Sequence, residues 1–223
     1  KEGHYVETLA PGASITYGNT SNAQDLSNFD VYIVDEPNIL FTAAQKTAIL
    51  NFVKNGGGLF MIADHTVSDR NNDGSDSPKI WNDLMTNNTV QTNPFGLTVE
   101  LTNISQTTTN VLVDPTNTIL NGSQGAVSKL IFHNGATIKL TPTANATAKG
   151  LIWQTGVAKT SKTKVMCASS TFFNGRVVLL TDSSPADDGT GNPSDTLYFG
   201  WTDAAGNHTR LHLNASYWLA KLQ

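Results

Sequence analysis

Three apolar stretches of this sequence end in residue types that perform acid–base and nucleophilic chemistry. The first ends in Asp35 and Glu36, and the second ends in Asp64 and His65. In an open α/β sheet, side chains that follow the strands meet in one crevice at the carboxyl edge. Clustered carboxylates repel one another unless a proton, a cation or a base compensates them, which favours a functional site. The third stretch adds a polar set: Asp182, Ser183, Ser184, Asp187 and Asp188.

Asp64 and His65 are the main candidates for chemistry. They can act as a base and the group that orients it, or as metal ligands, because imidazole titrates near neutral pH and also binds metals. The alternative is structural, since Asp and Ser after a strand often cap the next turn and a histidine can be hydrogen-bonded in the fold. The further catalytic candidates are Asp182, Glu36 and Ser183, and the additional site candidates are Asp35, Asp187, Asp188 and His212.

The loop "DRNNDGSDS" contains the first half of a calcium-binding motif. Asp69, Asn71 and Asp73 occupy positions 1, 3 and 5 of an EF-hand-type loop, followed by the glycine of its sharp turn. The second half lacks the bidentate glutamate, because Ile80 stands at that position, so Asp76 or Asp83 would have to replace it. We predict Ca²⁺ or another divalent metal here, with a plain polar turn as the alternative. The predicted ligands are Asp69, Asn71, Asp73 and Asp76.

A strand, a helix and a second strand precede this loop. "FDVYIVDEPN" holds an apolar run at 31–34 that is typical of a buried parallel strand. Thr42 can cap a following helix, which the glycines at 56–58 end. "GLFMIAD" then predicts the second strand. Strand, helix and strand at this length predict a right-handed βαβ unit.

The rest of the chain predicts a β-rich insertion and a return to the sheet. From about residue 85 to 165 the segments are short, Thr-rich and alternating, which predicts antiparallel strands. Two strands joined at Asn174-Gly175 follow, and a helix is expected from about Asn214, with His208 and His212 on an extended approach to it. We predict a single α/β domain over 1–223, flavodoxin-like and doubly wound, with a mainly parallel sheet and this insertion in the middle of the chain.

The start of the chain predicts a strand that is not the first strand of the sheet. "GHYVETL" has the pattern of the second strand of such a sheet, yet no first strand precedes it. In the strand order 2-1-3-4-5 the first strand lies inside the sheet, where its absence would leave open edges. We therefore expect the first strand upstream of Lys1, and an upstream segment of the precursor as a partner of this chain.

The segments "FDVYIVDEPN", "TAAQKTAILNFVKNGGGLFMIADH" and "GRVVLLTDSSPADDGTG" resemble the class I glutamine amidotransferase-like superfamily. The likeness covers roughly residues 3–84 and 164–222, and is closest to uncharacterised secreted bacterial hydrolase-like branches. The resemblance implies a nucleophilic cysteine on a Gly-x-Cys-x-Gly turn, but this sequence has Ala63, Asp64 and His65 there. Cys167 lacks flanking glycines and fits a buried thiol. A Cys-dependent glutamine amidotransferase is therefore not expected.

Composition limits the partners. The 14 Lys and Arg residues are scattered singly and the formal net charge is -4, so no nucleic acid partner is expected. No apolar run approaches the roughly 20 residues of a membrane span. The abundance of Thr and Asn resembles exported bacterial β-rich proteins. We therefore expect an extracellular or periplasmic location, with any signal peptide already removed.

These observations favour an exported hydrolase that uses the carboxylates and His65, with a divalent metal as an optional component and a small molecule or glycan as substrate. No nucleotide or flavin cofactor is expected. The alternative is a non-catalytic module with a calcium-stabilised loop that binds a glycan or a protein. That alternative expects solvent-exposed aromatic residues to line a groove: Trp81, Trp153, Tyr198 and Trp201.

Overall fold

The computed structural model describes residues 3–191 and 197–223. Its helices are α1 (Ala43–Lys54), α2 (Ser77–Thr86) and α3 (His208–Leu219), with short 3-10 helices at Leu26–Asn28, Ser184–Ala186 and Gly200–Thr202. The strands are β1 (Val31–Asp35), β2 (Gly58–Ile62), β3 (Leu97–Thr108), β4 (Asn121–Gly122), β5 (Gly125–Ala126), β6 (Leu130–Leu140), β7 (Lys149–Trp153), β8 (Val165–Phe172) and β9 (Gly175–Leu180).

A seven-stranded mixed sheet forms the centre of this α/β fold. Its order is β1-β2-β9-β8-β6-β3, with β7 also paired to β8. Strands β1, β2 and β9 are parallel, as the sequence predicts, and the other pairings are antiparallel. Three strands of the Thr-rich middle region therefore extend the same sheet. The parallel part places the ends of β1, β2 and β9 side by side, and these are the ends that carry the predicted site.

The βαβ unit forms where the sequence predicts it. Helix α1 begins with a capping box, in which the Thr42 hydroxyl accepts the Gln45 N–H and the Gln45 side chain accepts the Thr42 N–H. The helix ends before the three glycines, and β2 starts at Gly58. In β2, Leu59 and Met61 belong to one hydrophobic cluster, whereas Phe60 and Ile62 belong to the other. Because strand side chains alternate, β2 is buried on both faces.

Helices cover both faces of the sheet. Residues Ile49 of α1 and Trp81 of α2 pack in the first cluster, and Leu211 and Leu219 of α3 pack in the second. All four side chains are essentially buried, and together they help to remove β2 and β9 from water, whereas the edge strand β1 stays partly exposed. Burial of apolar surface on this scale is the main stabilising contribution to such a fold. None of the helices in the described ranges has the length and apolar character needed to cross a bilayer.

Two sequence predictions about the chain ends are wrong. Residues 3–9 form no strand, because they do not join the hydrogen-bonded ladder of any described strand. Helix α3 begins at His208, six residues before the predicted start at Asn214. The segment is helical because the His208 ring accepts the Ile131 N–H and contacts the Gly200 carbonyl, which fixes the first turn against the sheet. Tertiary contacts thus outweigh the alternating pattern of Leu211 and Leu213.

Candidate functional site

A pocket of about 830 Å³ lies at the carboxyl ends of β1, β2 and β9. This volume falls within the range of about 300–1,000 Å³ that is typical of small-molecule sites. We call it the acidic pocket. The strand-end loops supply most of its lining side chains, and β6 supplies His133 and Asn134. The strand-end residues that matter most are Asp35, Glu36, Asp64, His65, Arg70 and Ser183.

Asp64 and His65 form a hydrogen-bonded pair in this pocket. The His65 Nδ1 lies 3.0 Å from the Asp64 Oδ1, and the His65 backbone N–H donates to the same oxygen at 2.8 Å. Asp64 is 3% exposed, and its own N–H donates to the buried Ser77 hydroxyl. An ionised carboxylate only accepts hydrogen bonds, so Nδ1 carries the ring proton and Nε2 is left as a base. The pair has the geometry of an oriented general base.

Arg70 links the ends of two strands and is a pocket residue that the sequence analysis missed. Its Nε donates to Glu36 Oε1 at 2.9 Å, and its Nη2 donates to Asp64 Oδ2 at 3.2 Å. Nearby, the Asn71 amide donates to the Asn38 carbonyl at 2.6 Å, which fastens this loop to the segment after β1. The only hint of this role in the sequence was its position, as a single arginine among the aspartates of the half calcium motif.

Glu36 occupies a left-handed backbone conformation immediately after β1. Its φ is 41°, which costs energy for a residue with a side chain and is enriched at functional sites. The Asn38 amide holds this turn by donating to the Glu36 carbonyl at 2.8 Å. The turn brings the Glu36 carboxylate to Arg70 and to Ser183, whose hydroxyl donates to Oε2 at 3.3 Å. The side chain is 15% exposed.

The acidic pocket raises the pKa of two adjacent carboxyl groups. Burial, and then the like charge of Asp64, raise the pKa of Glu36 to about 7 despite the opposing effect of Arg70. Desolvation by the surrounding protein, followed by the charges of Glu36, Asp64 and Asp187, raises the pKa of Asp35 to about 7. Asp35 keeps contact with solvent, and the three neighbouring carboxylates disfavour its ionised form. Both groups therefore exchange protons near neutral pH.

Asp182 lies beneath the acidic pocket instead of lining it. It is fully buried and accepts the backbone N–H of His133 at 2.5 Å and both the N–H and the hydroxyl of Ser184. Burial raises the pKa of Asp182 well above its usual range, while these hydrogen bonds oppose the rise. Asp182 is accordingly a positioning residue that joins β9 to β6, in contrast to its predicted catalytic role.

His133 and Tyr198 also line the acidic pocket. His133 was not predicted for any site, whereas Tyr198 was expected to line a groove in the glycan- or protein-binding alternative. Their rings stack with centroids 4.6 Å apart at an interplanar angle of 14°. Asp187 accepts the Tyr198 N–H at 2.7 Å, which fixes the position of Tyr198. Asp187 and Asp188 both line the pocket, and Asp188 also caps its own turn by accepting the Thr190 N–H. No spacing in the sequence indicates that these residues meet.

The half calcium motif folds into a loop held by its own hydrogen bonds. Asp69 accepts the N–H groups of Asp73 and Gly74, and Asp73 accepts that of Ser75. Asp76 caps α2 by accepting the Lys79 N–H at 3.0 Å. Within residues 3–191 and 197–223, no group of three or more His, Cys, Asp or Glu side chains could hold a metal ion. Metal binding by this loop stays a prediction from the sequence.

The remaining candidates lie in the hydrophobic interior. His212 packs between the rings of Phe60 and Trp201, and burial lowers its pKa to about 4, so it is neutral and lies away from the acidic pocket. Cys167 is fully buried, as predicted. Two of the aromatic residues expected on a groove, Trp81 and Trp153, instead pack in the first hydrophobic cluster, where their indole N–H groups donate to backbone carbonyls.

The fold and the site thus define a mixed α/β domain with an acidic pocket at the ends of its parallel strands. No protein-family model matches the chain, and no curated protein matches it either. Among solved structures, the mmIFT52 N-terminal domain has a TM-score of 0.56 at 13% identity, covering 87% of this chain and 79% of that one. At this identity, the similarity shows a shared fold alone.

Two further solved structures have lower TM-scores. A cytoplasmic protein from Salmonella typhimurium has 0.48 at 13% identity, covering 87% of this chain and 73% of its own. A ThuA-like protein from Bacteroides uniformis has 0.47 at 14% identity, covering 88% of this chain and 74% of its own. The resemblance to the class I glutamine amidotransferase-like superfamily is therefore wrong. No model of that family matches, and the structural similarity leads to the fold of the mmIFT52 N-terminal domain instead.

Proposed function

We propose that this chain is an exported hydrolase that acts on a small molecule or a glycan in the acidic pocket. The observation that carries the proposal is the Asp64–His65 pair, which lines a pocket that also holds two carboxyl groups titrating near pH 7. We also propose that the fold is of the flavodoxin-like, doubly wound type. The parallel strands β1, β2 and β9, with helices on both faces, support that assignment.

The proposed reaction uses one base and one acid. The Nε2 of His65 takes a proton from a water molecule while the water oxygen bonds to the electrophilic atom of the substrate. Asp64 stabilises the resulting imidazolium through the Nδ1 hydrogen bond. The protonated form of Glu36 gives its proton to the leaving group as that bond breaks. Solvent then returns the proton from His65 to Glu36, which restores both groups and balances the cycle.

Arg70 and Ser183 support the Glu36 carboxyl group in this scheme. Arg70 favours the ionised form of Glu36 that follows proton donation, because its guanidinium lies against Oε1. Ser183 donates to Oε2 and so orients the carboxyl group. We assign Ser183 this supporting role and not that of a nucleophile for two reasons. Its hydroxyl donates to the Glu36 carboxylate, which Arg70 also binds. Ser183 also lies outside any Gly-x-Ser-x-Gly elbow.

The experiment is a screen of chromogenic esters, amides, glycosides and phosphates with the wild-type protein and His65→Ala. We expect hydrolysis of at least one class and a loss of about 10²- to 10⁴-fold in kcat with His65→Ala. Unchanged circular dichroism would show that the variant still folds. His4→Ala, which changes an exposed histidine outside the pocket, is the matched control. Equal rates for His65→Ala and the wild type would contradict the proposal.

A glycan-binding module without catalysis is the second candidate. The stacked rings of His133 and Tyr198 at the acidic pocket favour it, because aromatic faces pack against the C–H faces of sugars. Equilibrium binding of a glycan without turnover, lost on Tyr198→Ala, would select this alternative. A substrate that is turned over would select the hydrolase.

A further inference from the structure

A second, smaller pocket of about 290 Å³ has no part in the proposed reaction. It is formed by the loop at 114–119, by residues of and next to β7 and β8, and by the C-terminal end of α3, and it shares no residue with the acidic pocket. We call it the Ser169 pocket. Its main residues are Asp114, Thr118, Lys149, Ser169, Ser170 and Trp218.

Ser169 has a polar atom that the protein leaves without a partner. The residue is only 7% exposed, yet its hydroxyl makes no hydrogen bond to any residue within the described ranges. The oxygen is not completely enclosed, and the residue lines the pocket. Hydroxyl groups that are this deeply buried are normally paired. The pocket must therefore supply the partner, which is either water or a ligand.

The hydroxyl groups of Ser170 and Thr147 differ from that of Ser169, because each has a partner in the protein. The Ser170 Oγ lies 3.2 Å from the Thr147 Oγ1, and Thr147 accepts the Thr171 N–H at 2.9 Å while donating to the Asn145 side chain at 2.7 Å. These bonds are internal and hold the wall of the pocket in place. Ser169 is different because its capacity to donate and accept is unused.

The charges of the Ser169 pocket balance. Lys149 Nζ lies 2.8 Å from Asp114 Oδ2, so the pocket carries one positive and one negative side chain. An ammonium group has three N–H donors and a carboxylate has several lone pairs, so both can bind a further group. An anionic ligand would meet Asp114, and a cationic ligand would meet Lys149. The lining thus offers donors and acceptors side by side with no excess charge.

Trp218 adds an apolar surface to this polar lining. It is half-buried at the end of α3, and the Arg176 guanidinium lies over its ring at 5.0 Å, which fixes the indole. Arg176 also donates to the Trp218 carbonyl at 2.5 Å. Rigid aromatic side chains are common in ligand sites that combine an apolar wall with a few polar groups.

We propose that the Ser169 pocket binds one ring of a neutral sugar. A sugar hydroxyl donates and accepts at the same time, which matches Ser169 beside the Asp114–Lys149 pair. The C–H groups of a sugar ring suit the part of the Trp218 side chain that lines the pocket. The volume of about 290 Å³ lies just below the range of about 300–1,000 Å³ for small-molecule sites, so it fits a single ring better than a longer chain. This proposal is independent of the hydrolase activity.

The test is titration of the ¹⁵N-labelled protein with methyl glycosides of glucose, galactose, mannose and N-acetylglucosamine, followed by amide chemical shifts. We expect at least one glycoside to bind in the millimolar range and to shift the amides of Lys149, Ser169 and Trp218. Glucose 6-phosphate and glucosamine test the balance of charge. Tighter binding of either charged sugar than of methyl glucoside would overturn the neutral-sugar assignment.

Ser169→Ala is the decisive variant, because it removes one unpaired oxygen and leaves the wall intact. We expect about a fivefold or greater loss of affinity, which is the value of one hydrogen bond. The melting temperature without sugar should stay the same or rise, since the hydroxyl has no partner in the protein. Ser14→Ala, at an exposed site outside the pocket, is the control. Unchanged affinity in Ser169→Ala, shifts that cluster at the acidic pocket, or no binding of any glycoside would each overturn the proposal.

Discussion

The His65 imidazole and the His65 backbone N–H both bind the same Asp64 oxygen, at 3.0 and 2.8 Å. Side chains of successive residues in a strand point to opposite faces, so two neighbours can share one atom only where the strand has ended. Strand β2 ends at Ile62, and the chain turns directly after His65. This turn converts an adjacent acid and histidine into a hydrogen-bonded pair.

Asp64→Asn tests the role of this pair. The side-chain amide of the variant can donate to the His65 Nδ1, which favours the tautomer that has no base at Nε2. The substitution also removes the negative charge that stabilises the imidazolium. We expect kcat on the substrate found in the screen to fall by about 10²- to 10⁴-fold, measured from initial rates. Asp73→Asn is the control, because Asp73 is an exposed aspartate in the same loop. Similar losses in both variants would contradict the prediction.

Glu36→Gln tests the raised pKa through the pH dependence of stability. The pKa of Glu36 is about 7 in the folded protein and 4.5 as its ordinary value. Between these values the folded state holds a proton that the unfolded state has released, so the free energy of unfolding falls as pH rises through this window. Glutamine does not titrate, so the variant should lose less stability across it. At pH 8 we expect the free energy of unfolding of Glu36→Gln to exceed that of the wild type by about 1–2 kcal/mol.

Urea unfolding at a series of pH values between 4 and 8 measures this effect. Asp35 contributes in the same direction, because its pKa is also raised, so a smaller pH dependence should remain in Glu36→Gln. Glu100→Gln removes a carboxylate on β3 outside the acidic pocket and serves as the control. A parallel pH profile for Glu36→Gln and the wild type would show that Glu36 titrates normally.

Two ion pairs with the same N–O distance of 2.8 Å should differ in their contribution to stability. The side chains of Lys46 and Asp83, which join α1 to α2, are 9% and 21% exposed, whereas those of Lys149 and Asp114 are 47% and 25% exposed. Asp83→Asn leaves a nearly buried ammonium group without its counter-charge. We expect a loss of about 1–3 kcal/mol in the free energy of unfolding, measured in urea. Asp114→Asn should lower the free energy of unfolding by clearly less, because its ion pair is more exposed. Equal losses in the two variants would contradict this prediction.

Thermal melting with calcium and with a chelator tests the half motif. The carboxylates of Asp69, Asp73 and Asp76 already accept backbone N–H groups, so a metal ion would have to compete with these bonds. We expect the same melting temperature in both conditions. A ligand that binds the folded state raises stability by about 2.7 kcal/mol at 100 times its Kd. A higher melting temperature with calcium, absent in the Asp69→Asn variant, would establish the metal site predicted from the sequence.

The local elements of this fold could be predicted because their signals act over a few residues. The capping box of α1 and the glycines that follow it lie within one segment, and the apolar runs of β2 and β9 match buried strands. The apolar run of β1 also predicted a buried strand, which is wrong, because β1 lies at the edge of the sheet and Ile33 is 50% exposed. The same locality explains the wrong start of α3. Its first turn depends on the contact of His208 with Ile131, which lies 77 residues earlier in the chain.

The candidate site could be predicted only in part. Asp35, Glu36, Asp64, His65 and Ser183 were identified because parallel strand ends must meet. Asp182 follows a strand in the same way, yet it is buried, since β6 crosses beside it and supplies the His133 N–H. Whether an acid lines a pocket or supports it depends on the neighbouring strand.

By itself the sequence determined a mixed α/β chain with a βαβ unit and acidic strand ends, because capping, alternation and apolar runs are encoded locally. The tertiary structure decided which side chains share a space. It brought Arg70, His133 and Tyr198 to the acidic pocket, placed Asp182 beneath it and left Ser169 without a partner. These outcomes depend on strand order and burial, which arise from contacts between segments far apart in the chain, and no local pattern records them.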